Sequence, residues 1–157
     1  MKKKYKIISK NFNELKISEL YEIVKARYEV FACEQEITCE NDFDDKDKEC
    51  MHLFVVDNKN GVDRVVGYCR LLPPGLSYEE ASIGRVLVLK EYRGKGIAKE
   101  MMIEAINEIE KNYKVNKITL SAQCYIKGLY KSVGFKEVSE EYEEAGIPHV
   151  KMKLGIW

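Results

Sequence analysis

The sequence predicts an α/β fold of the mixed α+β kind, in which helices and strands form layers around a sheet. Three observations lead to this prediction. Apolar, β-branched runs of strand length recur along the chain. Segments in which apolar residues have helical spacing lie between these runs. Turn signals such as Asn-Gly and Pro-Pro-Gly separate the predicted strands and helices. Mixed ordering of this sort is typical of a sheet covered by helices. We expect one domain over residues 1–157, long enough to bury a core.

The first half of the chain is expected to contribute one helix and three strands. Ser18 is a residue type that caps helices, and Glu19 follows it in the first turn. The acidic stretch that follows lacks periodicity, and we interpret it as a solvated loop, with attraction of a cationic amine as the alternative. An Asn-Lys-Asn-Gly turn then joins two strands into a hairpin. The predicted elements are strand 5–8, helix 18–32, loop 41–48, and strands 52–56 and 65–72 around turn 58–61.

The second half alternates strands and helices. The helix that begins after Gly96 has an apolar stripe along one face, which includes Met101, Met102 and Ile109 and indicates packing against the core. Gly134 is expected to end a second, shorter helix. The predicted elements are strand 83–89, the helix after residue 96, strand 117–121, helix 126–133, and strands 135–138 and 150–154.

Composition excludes several classes of function. The chain has 26 basic and 26 acidic residues, and a domain that binds nucleic acid nonspecifically normally has a basic excess. No apolar run approaches the ~20 residues that span a bilayer, so we expect a soluble, cytoplasmic protein with no membrane partner. The five cysteines show neither zinc-finger spacing nor a disulfide framework, so no metal is predicted. The reactivity of Cys124 stays open.

One segment carries the strongest functional signal. The apolar run at residues 86–89 passes through a charged turn into Arg-Gly-Lys-Gly at residues 93–96, where the long helix begins. The first turn of a helix has N–H groups without partners, and the helix dipole adds positive potential there. Gly94 and Gly96 permit close approach of a ligand to the backbone. A P-loop motif is absent, and Lys99 occupies the position of the third glycine of a dinucleotide-binding motif.

The pattern Arg93-x-x-Gly96-x-Ala98 resembles the Arg/Gln-x-x-Gly-x-Gly/Ala signature of the GNAT (GCN5-related N-acetyltransferase) superfamily. The resemblance implies acetyl-CoA as co-substrate, with its pyrophosphate on this segment. It also implies the family fold, a twisted mixed sheet of about seven strands, splayed between strands 4 and 5 and flanked by about four helices. Lys95 and Lys99 would add charge, while Arg93 alternatively shapes the turn. The implied cofactor-binding residues here are Arg93, Gly94, Lys95, Gly96, Ile97, Ala98 and Lys99.

A second segment, Gly-Leu-Tyr-Lys-Ser-Val-Gly-Phe at residues 128–135, resembles the family's Phe-Tyr-x-x-x-Gly-Phe motif, with Leu129 where Phe is common. Tyr130 aligns with the tyrosine that many members are thought to use to protonate the departing CoA thiolate. A phenol, with an ordinary pKa of about 10, suits that role because it stays neutral before the reaction. The alternative is that Tyr130 only packs on the pantetheine arm.

A third set of residues resembles the ElaA-like subgroup of this superfamily. It comprises Arg-Tyr-Glu-Val-Phe-Ala-Cys-Glu-Gln-Glu at residues 27–36, Asp42, Asp44-Asp45, His52-Leu53, Ser-Ile-Gly-Arg-Val at residues 82–86, Ala122-Gln123 and Gly-Ile-Pro-His at residues 146–149. The match extends over most of the chain, from about residue 20 to residue 152. The subgroup implies little about the acceptor.

The family resemblance assigns the thioester chemistry to strand 4. Backbone groups of Val86, Leu87 and Val88 are implied to hold the pantetheine and to polarise the thioester carbonyl, with Val88 nearest to it. Pre-placed N–H donors stabilise the developing oxyanion in acyl transfer. Gln123 is expected to orient amide groups of the cofactor or the substrate.

The acceptor amine must lose a proton, and three residues are candidates for receiving it. Glu34 is the first, because it follows the first helix on the family's acceptor side; alternatively it only hydrogen-bonds the backbone or Arg85. His52 and His149 are the others, and both are expected on the substrate side. A lone histidine is more often a structural donor.

The expected activity is acetyl transfer from acetyl-CoA to a primary amine of a small molecule or a peptide, by direct attack in a ternary complex. The alternative from another class is a non-catalytic acyl-CoA sensor or interaction module on the same fold. Transfer of a longer acyl group also stays open. Nucleic acid is not an expected partner, and a homodimer is consistent with the family.

Overall fold

The computed structural model describes residues 5–155, and this part of the chain forms eight strands and three α-helices. The strands are β1 (Lys6–Asn11), β2 (Met51–Lys59), β3 (Val62–Leu72), β4 (Ser82–Val88), β5 (Ile118–Gln123), β6 (Lys136–Glu137), β7 (Tyr142–Glu144) and β8 (Ile147–Leu154). The helices are α1 (Ile17–Arg27), α2 (Ile97–Tyr113) and α3 (Lys127–Ser132).

The first sheet has the order β1-β2-β3-β4 and is antiparallel throughout. The β2–β3 hairpin turns at Asn60 and Gly61, whose φ angles are 52° and 80°. Positive φ at both central residues is what a two-residue type I′ turn needs, and Asn-Gly is its preferred sequence. The hairpin predicted from that dipeptide is therefore confirmed, with β3 beginning three residues earlier than expected, at Val62.

The second sheet is built around β8, with β5 on one side and β6 and β7 on the other. The two sheets meet at a parallel bridge between Ala81 and Ile118, where the Thr119 N–H donates to the Ala81 carbonyl at 2.9 Å. Beyond that bridge, β4 pairs with β3 and β5 pairs with β8, so the two strands diverge. The expected fold class, with its splay between strands 4 and 5, is confirmed, although residues 5–155 form eight strands and three α-helices instead of about seven and about four.

Helices α1 and α2 pack on opposite faces of the first sheet. The guanidinium of Arg27, at the end of α1, lies over the ring of Tyr68, with its central carbon 5.5 Å from the ring centre. Met101 of α2 lies over Gly67, the residue before Tyr68, because its Sδ is 3.4 Å from where a Cβ on that glycine would stand. Neighbouring residues of a strand face opposite sides. The predicted apolar stripe of α2 is buried, as expected.

The first helix differs from its predicted course. The helix begins at Ile17, and its N-cap is Lys16 instead of the predicted Ser18. The Glu19 carboxylate accepts the Lys16 N–H at 2.8 Å and so stabilises this earlier start. After Arg27 the backbone continues as a π-helix, Tyr28–Glu34, which buries Val30 and Phe31. A widened turn of this kind is rare and is often found at functional sites.

The acidic stretch is not a solvated loop, and this prediction was wrong. Residues Asp45–Glu49 form a 3₁₀ helix, and three aspartates of the stretch bind three arginines on the α1 face of the sheet. Buried arginines require such partners, because an unpaired charge in the interior is very costly. The ion pairs are Arg27 with Asp42 and Asp47 (both 2.9 Å), Arg70 with Asp44 (2.6 Å) and Asp47 (3.0 Å), and Arg85 with Asp42 (2.7 Å).

Smaller differences lie near the end of the chain. The three-residue strand β7 was not predicted, since Tyr-Glu-Glu has no apolar alternation. Strand β8 begins three residues before the predicted start, and α3 matches its prediction within one residue at each end. Gly134 follows α3 with a φ of 105°, as expected for a residue that ends a helix. Within residues 5–155, no helix is both long and apolar enough to cross a lipid bilayer.

Candidate active site

A cleft of about 710 Å³ lies where β4 and β5 diverge. It is lined by β4, the start of α2, the end of β5, α3 and the β7–β8 hairpin. Strands β4 and β5 run parallel, and open sheets bind ligands beyond the carboxyl ends of such strands, where neighbouring chain segments leave in different directions. The splay therefore produces a ligand site.

A β-bulge interrupts β4 at the cleft. Tyr68 pairs with Leu87 and Arg70 pairs with Gly84, so Cys69 alone faces two residues of β4, Arg85 and Val86. Arg85 has a φ of 54°, a conformation that is uncommon for residues other than glycine. Bulges leave a residue outside the ladder and are frequent beside active sites. Val86, Leu87 and Val88, which the family resemblance implied as cofactor-binding residues, all line the cleft.

The glycine-rich segment turns the chain from β4 into α2. Gly94 and Gly96 have φ angles of 75° and 80°, and Gly96 is the residue before the first turn of α2. A Cβ at either position would meet no atom within 4 Å, so the space in front of this backbone is open. The first N–H in the helix to bond back is that of Glu100, so within residues 5–155 the N–H groups of residues 97–99 have no partner and are free for an anion.

The charged residues of this segment have different surroundings. Arg93 donates from Nε to the Val88 carbonyl at 2.9 Å, and its other nitrogens bind Glu34 at 2.6 and 2.9 Å. These contacts favour the interpretation that Arg93 shapes the turn. Lys99 lines the cleft together with Gly96, Ile97 and Ala98, whereas Lys95 lies over the Tyr92 ring and is not part of the lining.

Tyr130 of α3 lies in the wall of the cleft and is 5% exposed. Its ring packs edge-to-face on Phe135, with 6.0 Å between ring centres. Burial raises the pKa of Tyr130 above its usual value, so the phenol stays protonated. Among the described residues, none forms a hydrogen bond with its hydroxyl group, which is therefore available to a ligand.

Gln123 ends β5 and forms a reciprocal amide pair with Gln35. Each side chain donates to the other, at 3.0 and 3.1 Å. Gln35 follows the π-helix, so this pair connects the first helical segment to the second sheet across the cleft. Gln35 was missed as a site residue, although it stands in the Glu-Gln of the subgroup motif.

Glu34 does not line the cleft, and the expectation that it is the base is not supported. Its carboxylate is held in a bidentate ion pair by Arg93. The hydrogen bonds from Arg93 lower the pKa of Glu34, which makes it a weaker proton acceptor. The sequence could not show this pairing, because Glu34 and Arg93 are joined only by the tertiary fold.

His52 is 1% exposed and lies in the core, so its expected place on the substrate side was wrong. Its Nε2 lies 2.8 Å from the Asp47 carbonyl, which can only accept, so Nε2 carries the proton. Its Nδ1 then accepts from the Tyr68 hydroxyl at 2.6 Å. Burial lowers the pKa of His52, as expected for a neutral ring with both nitrogens satisfied.

His149 does line the cleft. It stands opposite Gln123 in the β5–β8 ladder, and the two side chains therefore share a face of the second sheet. Its Nδ1 lies 2.7 Å from the Ile147 carbonyl, and its Nε2 lies 3.4 Å from a carboxylate oxygen of Glu144. Cys124 is not part of the lining, and desolvation followed by the nearby Glu141 charge raises its pKa, which disfavours a reactive thiolate.

Comparison with known proteins agrees with this geometry. The model of the acetyltransferase (GNAT) domain matches residues 15–156 of the chain. A UPF0039 protein of Schizosaccharomyces pombe is 38% identical over 150 residues, covering 95% of this chain and 96% of that protein. Protein ElaA of Escherichia coli is 33% identical over 141 residues, covering 89% of this chain and 90% of that protein.

Solved structures give the same result. The crystal structure of Escherichia coli ElaA has a TM-score of 0.84 at 30% identity, covering 95% of this chain and 98% of that one. An acyl-CoA N-acyltransferase from Pseudomonas aeruginosa has a TM-score of 0.83 at 30% identity, with the same two coverages. The glycine segment at the start of α2, the splay beside it and these similarities agree: this chain belongs to the GNAT acetyltransferase family and is ElaA-like within it.

Proposed function

We propose that this protein transfers the acetyl group of acetyl-CoA to a primary amine of a small molecule or a peptide, by direct attack within a ternary complex. Membership of the GNAT family supports acyl transfer in general. The name of the Pseudomonas aeruginosa relative supports acyl-CoA as the donor. The observation that carries the proposal is the open N-terminus of α2, which adjoins the cleft between β4 and β5.

The pyrophosphate of acetyl-CoA would bind at residues Gly94–Lys99. The free N–H groups of residues 97–99 supply hydrogen-bond donors, and the dipole of a 17-residue helix adds positive potential. Lys99 supplies a further positive charge at the wall of the cleft. Arg93 contributes indirectly, because it ties the turn to Val88 and Glu34.

The thioester would lie against the bulge of β4. Because Arg85 and Val86 together face Cys69, the ladder cannot use every backbone group at this point. The pantetheine amides and the thioester oxygen are suited to bind these groups and those of Leu87 and Val88. An N–H donor fixed in place before the reaction stabilises the oxyanion that develops during attack.

The amine nitrogen would then attack the thioester carbon, and the C–S electron pair would leave on sulfur. Tyr130 would give its proton to that thiolate; its hydroxyl has no protein partner among the described residues, and burial keeps it neutral, which supports this role. Gln123, held by Gln35, is suited to orient an amide group of the cofactor or the acceptor. The products are the acetylated amine and free CoA.

A thermal-melt titration with acetyl-CoA tests donor binding. Ligand at ~100 times its dissociation constant adds about 2.7 kcal/mol of stability, which raises Tm by several degrees in a domain of this size. Gly96→Asp should abolish the shift, because it places a carboxylate where the pyrophosphate would bind. Gly61→Asp is the matched control, because both glycines have a φ of 80° and no neighbouring atom in the space that a Cβ would enter.

Release of free CoA thiol from acetyl-CoA, in the presence of a polyamine, an amino sugar or a lysine-containing peptide, tests transfer. Thiol release with any of these amines, lost in Gly96→Asp and kept in Gly61→Asp, supports the proposal. A shift in Tm without thiol release across the panel would instead favour a non-catalytic acyl-CoA sensor. A folded parent with no shift at millimolar acetyl-CoA would overturn the proposed donor site.

A further inference from the structure

The β7–β8 hairpin brings a carboxylate and an imidazole to the wall of the cleft. The hairpin turns at Ala145 and Gly146, whose φ angles are 54° and 76°, and this two-residue turn places Glu144 opposite Ile147 in the ladder. Glu144 and His149 both line the cleft, and neither has a part in holding the donor as described above. The Glu144 side chain is 50% exposed, while that of His149 is 7% exposed.

The backbone determines which ring nitrogen of His149 carries the proton. The Ile147 oxygen lies 2.7 Å from Nδ1, and a carbonyl can only accept a hydrogen bond, so Nδ1 is the donor. In the neutral ring, Nε2 is therefore left with a lone pair. Glu144 Oε2 lies 3.4 Å from this nitrogen, beside the ring and without a hydrogen bond to it. A proton taken up by Nε2 makes the ring a cation, and the adjacent carboxylate attracts that cation.

The surroundings of Glu144 hold its carboxylate in place. Ser121 Oγ donates to Oε2 at 3.3 Å, and the Tyr142 hydroxyl lies 2.5 Å from Ser121 Oγ. Because the hydrogen of Ser121 is directed to Glu144, the hydrogen between Ser121 and Tyr142 comes from Tyr142. The Tyr142 ring also stacks on His149, with ring centres 6.2 Å apart. Both members of the pair are thus oriented by neighbouring groups.

Other titratable groups face this pair from neighbouring elements. Tyr78 precedes β4, and its pKa is raised by desolvation, then by Tyr142 and Glu144, which shows that it lies within electrostatic reach. Lys151 of β8 lies over the Tyr78 ring, with 5.4 Å from its ammonium to the ring centre. Tyrosines are neutral near pH 7 and Lys151 is a cation, so Glu144 is the one negatively charged group among these neighbours of the His149 ring.

We propose that His149 and Glu144 form the pair that deprotonates the acceptor amine, an assignment that rests on the proposed acetyl transfer. Nε2 of His149 takes one proton from the bound ammonium, and the Glu144 carboxylate stabilises the resulting imidazolium. The freed nitrogen lone pair forms the bond to the thioester carbon as the C–S bond breaks. The sulfur receives the proton of Tyr130, the tyrosinate recovers one from the new amide nitrogen, and His149 releases its own to water.

The ring state of His149 can be measured without any substrate. The chain has only two histidines, so a long-range ¹H–¹⁵N NMR spectrum of the ¹⁵N-labelled protein contains two ring systems. We expect the neutral His149 ring to carry its proton on Nδ1. The His52 ring, protonated on Nε2, is the internal reference.

The pH dependence of kcat/KM tests the catalytic role, with the most active amine of the panel above as acceptor. At neutral pH, His149→Gln should lower the rate on the order of a hundredfold. The difference in kcat/KM between this variant and the parent should become smaller as pH rises, because the acceptor amine is then deprotonated without a base. Glu144→Gln should cause a smaller deficit with the same trend. Glu143→Gln, an exposed neighbour in the same strand, is the control and should leave the profile unchanged.

The outcomes separate the two proposals. A deficit in His149→Gln that stays constant from about pH 6 to about pH 9 overturns the base assignment while leaving acetyl transfer intact. A His149 ring that is protonated on Nε2 in its neutral form also overturns it. A folded parent that transfers acetyl to no amine overturns both. An unchanged Tm shift with acetyl-CoA in each variant verifies that it is folded and still binds the donor.

Discussion

Individual polar side chains in this protein are placed by the partners that the fold supplies to them. Arg27 shows this most clearly: it occupies an apolar position in the pattern of α1, yet its side chain is 2% exposed and bound to Asp42 and Asp47. His52 is satisfied in the same way by a carbonyl and a hydroxyl group. In the sequence, such residues look like candidates for a functional site. In the structure, their hydrogen bonds and ion pairs are already formed with other protein groups.

Tyr130 is different, because its hydroxyl group has no partner among residues 5–155. If it protonates the CoA thiolate, Tyr130→Phe should lower kcat on the order of a hundredfold and leave the Kd for acetyl-CoA nearly unchanged. If the ring only packs on the pantetheine arm, the variant should bind and react like the parent, because phenylalanine keeps the ring. Steady-state kinetics at saturating amine, together with the acetyl-CoA Tm shift, distinguish the two roles.

Among the secondary-structure elements, the 3₁₀ helix Asp45–Glu49 and the residues before it depend on ion pairs more than on apolar packing. Asp44 caps this helix by accepting the Lys46 N–H at 3.2 Å and binds Arg70 through both carboxylate oxygens. The hydrogen bonds from Arg70 lower the pKa of Asp44 to about 2. The segment also lines one wall of the cleft, so these ion pairs hold that wall in place.

The lowered pKa predicts how stability depends on pH. A carboxyl group with a depressed pKa in the folded state stabilises the fold above its unfolded pKa of about 4, and this contribution is lost as pH falls toward about 2. Urea unfolding across that window should show a steep loss of stability in the parent and a shallower loss in Asp44→Asn. Asp45→Asn is the control, because the Asp45 side chain is 94% exposed and should retain the parent slope. Equal slopes in parent and Asp44→Asn would contradict this account.

The whole molecule consists of two sheets that are joined at one edge and open at the other. The Ala81–Ile118 bridge closes the narrow end, whereas Gln35 and Gln123 reach across the cleft at the wide end. The helix α2 lies over the first sheet and begins at the cleft. A ligand that binds at the start of α2 and along β4 would therefore connect parts of the molecule that otherwise share few hydrogen bonds.

This arrangement predicts where acetyl-CoA protects the backbone. In hydrogen exchange, saturating acetyl-CoA should slow the amides of residues 97–99, of β4 at residues 86–88 and of β5 near Gln123. Strand β1 lies at the far edge of the first sheet and should change least. At ~100 times the Kd, amides that exchange through global unfolding should slow by up to about a hundredfold. Protection at β1 equal to that at residues 97–99 would indicate general stabilisation instead of a bridged cleft.

Local chemistry explains which features could be read from the sequence. The Asn60-Gly61 turn, the apolar stripe of α2 and the glycines before that helix depend on φ angles and on periodicity, which are properties of neighbouring residues. The family signatures lie in such local segments, so the fold class and the splay were predicted, and the glycine segment was identified as the proposed donor site. The short strand β7 was missed because its three residues carry no periodic signal.

Contacts between distant residues account for what could not be predicted. Glu34 and Arg93 are 59 positions apart, and Arg27 and Asp47 are 20 apart, so no local pattern shows that each charge is already paired. The same holds for His52 and His149. One ring lies in the core between a carbonyl and a hydroxyl group, and the other lies at the cleft beside Glu144. Residue type and local motif identified the candidate residues in the sequence. Only the packing of the two sheets decided which of their side chains kept an unpaired polar atom facing the cleft. The physical reason is that a polar group is available to a ligand only where the protein leaves it unpaired.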